Sequence, residues 1–170
     1  KAEYFAQPNF AGTPITQVDS TVNFNWGYGS PLTNFRGDFY TVRWSGQVQA
    51  TTSGTYNFLI SGDDGVRLWV DGKLIANGWS DHALASYNGN INLEAGRKYD
   101  IKMEYYEKTG ESIARLYWTQ PGGSRQIIPQ SQLFSGTPSS TPVVTQSSNP
   151  TPPVVESIPP TPVVNQTPST

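Results

Sequence analysis

The chain predicts an all-β fold, an antiparallel β-sandwich followed by an extended Pro/Thr/Ser-rich linker. Three observations carry this. Short runs of β-branched and aromatic residues alternate with Gly, Asn, Asp and Ser clusters, the punctuation of strands and turns. No convincing helical period extends over ten residues. All 21 aromatic residues lie in positions 1–136, whereas positions 137–170 hold nine of the 14 prolines, no aromatic residue and one charge, Glu156. The first segment can bury a single core, and the second cannot.

The strands follow in order. Phe39–Ala50 (FYTVRWSGQVQA) alternates through Tyr40, Val42, Trp44 and, past Gly46, Val48. Thr55–Ser61 and Val66–Val70 come next. Asp71-Gly72 is a two-residue hairpin signal leading into Lys73–Ala76. Ile91–Leu93, Tyr99–Glu107 and Ile113–Thr119 are three further strands. Trp44, Trp69 and Trp118 sit in strands and are assigned to the core. Many short antiparallel strands over this length suit a sandwich.

Positions 141–170 repeat with a period of ten, each copy opening on Thr-Pro: TPVVTQSSNP, TPPVVESIPP, TPVVNQTPST. Such sequence favours extended polyproline geometry, and at about 3.1 Å per residue the linker reaches roughly 100 Å. It is read as a spacer that tethers the domain to further modules or to a surface. Its Ser and Thr residues are candidates for O-glycosylation.

Formal net charge is -2, one unit of it from Glu156, so positions 1–136 are nearly neutral. No basic stripe marks a nucleic-acid or anionic-membrane partner. The absence of cysteine excludes disulfides, thiol catalysis and thiolate metal sites. No apolar run approaches the roughly 18 residues of a membrane span, so direct membrane insertion is not expected.

The residues most suggestive of chemistry are Asp63 and Asp64, set between Gly62 and Gly65 and between two strand-like runs. Neighbouring side chains in a regular strand point to opposite faces, so a kink is needed to aim both carboxylates at one point. The glycines make the flanking backbone permissive. A cis peptide would bring the two Cα atoms to about 2.9 Å. A hard cation suits such a pair, and calcium is the natural candidate. Asp-Asp-Gly is also ordinary turn chemistry, and both readings fit these four residues.

Taken in order, the segments resemble the protective-antigen lectin-like domain, the "PA-fourteen" family. The resemblance rests on Ala2–Phe5, Val22–Pro31 (VNFNWGYGSP), Phe39–Gly46, Ser53–Tyr56, Ser61–Gly72 (SGDDGVRLWVDG), Trp79–His82, Tyr99–Glu107, Ala114–Trp118 and Ile128-Pro129. It covers roughly residues 1–135 and implies a lectin-like β-sandwich of bacterial toxins, glycosidases, adhesins and yeast flocculins. It implies further that the aspartate pair is joined by a cis peptide, binds calcium and presents the ion to vicinal sugar hydroxyls. The family's remaining calcium contacts come from a loop after a late strand, here Glu107–Glu111, which makes Glu107 and Glu111 candidate ligands.

Trp79 and Tyr106 flank these loops and are candidate sugar-stacking residues, while Trp26 and Tyr28 lie in a Gly-rich stretch read as scaffold. Asp81-His82 holds the sole histidine and is assigned a packing role. Adjacent aspartates aimed at one point do not suit glycoside hydrolysis, which needs carboxylates about 5–9.5 Å apart across a cleft. No serine motif with a histidine partner is present either, so the chain is read as a non-enzyme. The expected function is calcium-dependent binding of a glycan or polysaccharide by a domain, at positions 1–136, of an extracellular, secreted or cell-surface bacterial protein. The alternative is a structural or protein-interaction sandwich without calcium or glycan binding.

Overall fold

The computed structural model describes residues 1–136; the linker expected at 137–170 lies outside the described residues. Twelve strands follow in order: β1 (Ala2–Phe5), β2 (Ile15–Gln17), β3 (Asn23–Gly27), β4 (Tyr40–Gln49), β5 (Gly54–Asp63), β6 (Val66–Val70), β7 (Lys73–Gly78), β8 (Ala85–Leu93), β9 (Lys98–Glu107), β10 (Ser112–Thr119), β11 (Gln126–Ile127) and β12 (Leu133–Phe134). One sheet runs β2-β1-β4-β9-β6-β7, with β12 also pairing β4; the other runs β11-β10-β5-β8, with β3 also pairing β10. Every pairing is antiparallel. The fold is therefore the all-β sandwich expected, and no helix among the described residues is long and apolar enough to cross a membrane.

The core lies between the sheets because alternate residues of each strand face inward. Tyr40, Val42, Leu68, Met103 and Tyr105 come from the larger sheet, and Tyr56, Phe58, Ile60, Leu116 and Trp118 from the smaller; all ten are buried. Tyr56, Phe58 and Trp118 pack ring against ring at centroid distances of 5.2–6.4 Å. The Asp71-Gly72 hairpin forms as expected, with φ of 52° and 72°.

Three differences from the sequence reading have physical causes. β8 starts at Ala85 rather than Ile91, because its outward residues Ser86, Asn88 and Asn90 dilute the apolar signal. Trp69 is not in the core. Val66, Leu68 and Val70 are the inward set of β6, so a period of two turns Trp69 outward. There it lies under Arg67 and Lys102, whose charged groups sit 5.1 and 3.8 Å from its ring centroid. Finally, β1, β2, β3, β11 and β12 are additional strands of two to five residues, too short to show a clear alternation.

Candidate functional site

β5 and β6 are consecutive strands in different sheets, so the chain crosses from one layer to the other at Asp63–Gly65. The Asp63–Asp64 peptide is cis, as the sequence reading expected. The flanking glycines have another purpose than the one expected, since neither has a positive φ. A Cβ on Gly62 would lie 2.3 Å from a Val66 methyl, and one on Gly65 would lie 2.0 Å from the Tyr106 ring. Close packing, not backbone freedom, requires glycine at both positions.

Beside this crossing, β9 ends at Glu107. Carboxylate oxygens of Asp63, Asp64 and Glu107 all lie within 4.8 Å of one another. Asp64 is buried, and both its oxygens accept backbone hydrogen bonds: Oδ1 from the His82 N–H at 3.1 Å, Oδ2 from the Lys108 N–H at 2.9 Å. Two loops are thereby pinned to one carboxylate. The Tyr105 hydroxyl lies 2.8 Å from Glu107 Oε2 and 2.6 Å from the Asp63 carbonyl, both acceptors. Burial pushes the Tyr105 phenol far up, so it remains a neutral donor. Glu107 Oε1 is buried with no hydrogen-bond partner.

The electrostatics follow from this crowding. Burial, reinforced by the neighbouring Asp64 and Asp63 carboxylates, pushes Glu107 up to about 7. Burial and then the charge of Asp64 also raise Asp63, with a smaller contribution from Glu111. Three oxygen-donor carboxylates converge, and none of them forms a salt bridge among the described residues, a set able to hold a metal ion.

Asp63 and Asp64 open onto a surface depression of about 540 Å³, rimmed by Tyr28, His82, Thr109 and Glu111, while the buried Glu107 lies behind them and lines the neighbouring hollow. Glu111 is exposed on this rim, outside the close cluster of three. Tyr28 is 81% exposed beside the carboxylates. The depression's two loops are tied together by Asp81, which accepts from the Tyr106 hydroxyl at 2.8 Å and pairs with Lys108 Nζ. Both ring nitrogens of His82 lie within hydrogen-bond distance of backbone carbonyls, those of Ala83 and Gly78, consistent with the packing role expected.

Trp79 and Tyr106 face a neighbouring hollow of about 320 Å³, bounded also by Phe39, Thr41 and Lys108. Trp79 is half-buried, edge-on to Tyr106 at 4.8 Å, near-parallel to Phe10 at 6.0 Å, with the Arg67 guanidinium 4.0 Å from its ring centroid. Sequence reasoning missed Tyr105 and the two backbone donors of His82 and Lys108. The donors carry no side-chain signal, and Tyr105 reads as one more inward residue of an alternating strand. Tyr28 had a usable signal, an aromatic flanked by two glycines.

The PA14 domain profile matches residues 1–132. The chain belongs to the PA14 domain family. Within that family it is 40% identical over 149 residues to the anti-sigma-I factor RsgI3 of Acetivibrio thermocellus, which covers 88% of this chain and 23% of the relative. It therefore spans about a quarter of that protein's length. A solved anti-sigma factor domain-containing protein from Clostridium clariflavum superposes with a TM-score of 0.76 at 40% identity, over 81% of this chain and 47% of the other. A PA14 sugar-binding domain from an RTX adhesin superposes at 0.59 with 17% identity, over 79% and 97%, a likeness of fold. The fold is a lectin-like β-sandwich of the PA14 family, in keeping with the sequence reading.

Proposed function

We propose that this PA14 domain binds carbohydrate through a calcium ion held by Asp63, Asp64 and Glu107. The observation that carries the reading is Glu107 Oε1, a buried carboxylate oxygen without a partner, beside two further carboxylates. Orphaned buried acceptors are costly, and a hard cation would satisfy this one. The donor set is all oxygen, which suits calcium over softer metals. Calcium takes six to eight oxygens, so three carboxylates leave positions for carbonyls of the Lys108–Glu111 loop and for two sugar hydroxyls.

The chain's own residues prepare that arrangement. The His82 and Lys108 amides orient Asp64, and Tyr105 holds Glu107. Glu111 stands at the rim, where it would contact the ion through water or the sugar directly. Tyr28 offers an exposed ring against the apolar face of a sugar. Trp79 and Tyr106 would touch a sugar only from the adjoining hollow, and their packing there supports the Asp81 latch. That a fold relative is named as sugar-binding supports the assignment of the surface.

The resemblance to anti-sigma factors supports a wider reading. The domain would sit outside the cell, carried on the 137–170 linker, and report polysaccharide to the remainder of a longer protein. The test is a glycan and polysaccharide binding screen with calcium and again with chelator, on the parent and on Asp63→Asn/Asp64→Asn. Binding that disappears both with chelator and in the double variant is expected. Binding that survives both sinks the calcium reading. Absence of any binding shifts the weight to an interaction module.

A further inference from the structure

The outer face of β5 and β8 presents a row of amides that the ion site does not use. On β8, Asn88, Asn90 and Asn92 point outward at alternate positions and are exposed. Their carbonyl oxygens are already engaged: the Asn57 amide donates to Asn90 Oδ1 at 2.7 Å and to Asn88 Oδ1 at 3.4 Å, and the Thr55 hydroxyl donates to Asn92 Oδ1 at 2.6 Å. With the oxygens so engaged, the three side-chain NH₂ groups make no hydrogen bond among the described residues and recur at every second residue, about 6.8 Å apart. The row continues at the exposed Ser86, whose hydroxyl meets that of the buried Ser61 at 2.8 Å.

Two properties separate this strip from an ordinary solvated face. Its two strands carry no charge here, since Thr55–Ser61 and Ser86–Asn92 contain no Asp, Glu, Lys or Arg, and Arg115 of the adjoining β10 borders it beside Ser61. Exposed sheet faces normally use charged residues, and unpaired edges use them especially. The strip is also rigid and continuous with the ion site. β8 pairs β5 along its whole length, from Gly54↔Leu93 to Gly62↔Ala85. On the inner face β7 packs closely against β8, where a Cβ on Gly89 would lie 2.1 Å from the Ile75 carbonyl. At its upper end β5 runs directly into Asp63.

We propose that this strip is a second binding surface, taking the flank of an extended, uncharged polysaccharide chain whose one residue is held at the carboxylate site. This deepens the calcium-lectin reading and rests on it for the anchoring sugar. From Ser86 to Asn92 the strip is about 20 Å long, room for several sugar rings. A row of NH₂ donors fits hydroxyl, ring and glycosidic oxygens, and the absence of charge fits a neutral chain. Such a surface distinguishes polymer from short oligosaccharides, because only a longer chain reaches along the strip.

The test compares the parent chain, Asn88→Ala/Asn90→Ala/Asn92→Ala, and Asn57→Ala, which unlocks the same amides from the opposite strand. The probes are soluble xylan, galactomannan and mixed-linkage β-glucan, their di- and trisaccharides, and polygalacturonate as a charged control, each with calcium and with chelator. Melting temperatures check that both variants are folded. The expected result is a loss of tenfold or more in affinity for at least one neutral polymer in the triple variant. A smaller loss is expected in Asn57→Ala, with disaccharide binding and the calcium-induced melting shift unchanged. Equal polymer affinity in parent and triple variant overturns the strip, as does a parent that binds no neutral polymer or a loss confined to polygalacturonate. The calcium-induced melting shift, read separately, decides whether the ion site fails with it.

Discussion

Replacing Glu107 with glutamine makes a prediction whose sign depends on calcium. In the ion-free chain Glu107 is raised from 4.5 to about 7 by burial and by Asp64 and Asp63. An acid raised on folding stabilises the fold fully only below its unfolded value, and that contribution is lost as pH rises through the folded value. At about pH 8 the charged Glu107 therefore costs the ion-free fold about 3 kcal/mol, the free-energy equivalent of the displacement. Glutamine mimics the neutral acid in shape and removes this cost. Without calcium at that pH, Glu107→Gln should be more stable than the parent by about 1–3 kcal/mol, and near pH 5 the difference should shrink. With calcium at about a thousand times its dissociation constant the parent gains about 4.1 kcal/mol and the variant much less, so the order reverses. Urea unfolding of both proteins, in chelator and in calcium, at both pH values reads the full set. A variant less stable than the parent in chelator at pH 8, or equal calcium stabilisation of both, refutes the reasoning.

Other perturbations separate the parts of the site. Asp64→Ala leaves the His82 and Lys108 amides without their acceptor and should cost about 1–3 kcal/mol by denaturant melts, besides abolishing calcium binding. Gly65→Ala drives a Cβ into the Tyr106 ring and should destabilise by about 1–3 kcal/mol, with faster hydrogen exchange in the Asp81 loop. Tyr28→Ala should weaken glycan binding several-fold at unchanged melting temperature, since its ring is exposed and holds nothing in place. Glu104 is raised by burial, but the hydrogen bonds of Arg43 and Arg67 outweigh this and hold it low. Its stabilisation is present above the ordinary carboxylate range and lost as pH falls, and Glu104→Gln should cost about 3 kcal/mol near neutral pH.

The strands that face both solvent and core were legible because alternation leaves a mark in sequence. Tyr40–Val48 and Tyr99–Tyr105 each carry inward apolar residues at every second place, and the structure pairs them residue for residue. The Asp71-Gly72 hairpin was legible for a similar local reason, its two positive φ values. The aspartate pair stood out because no regular strand can aim neighbours at one point. β8 was truncated in the reading because its outward asparagines hide the period, and Trp69 was misassigned because aromatic character was weighed above its phase with Val66, Leu68 and Val70.

Local sequence therefore determined the fold class, the inward faces of the long strands and the place where the backbone must turn on itself. Only the tertiary structure decided what meets there. Glu107 is more than forty residues from Asp64 along the chain, and β9 brings it alongside by pairing with β6 and β4. The amides of His82 and Lys108 reach Asp64 from two separate loops, and three asparagine carbonyl groups are locked by residues of another strand. Convergence of this kind is set by strand order and register, which a periodic pattern within one strand does not encode.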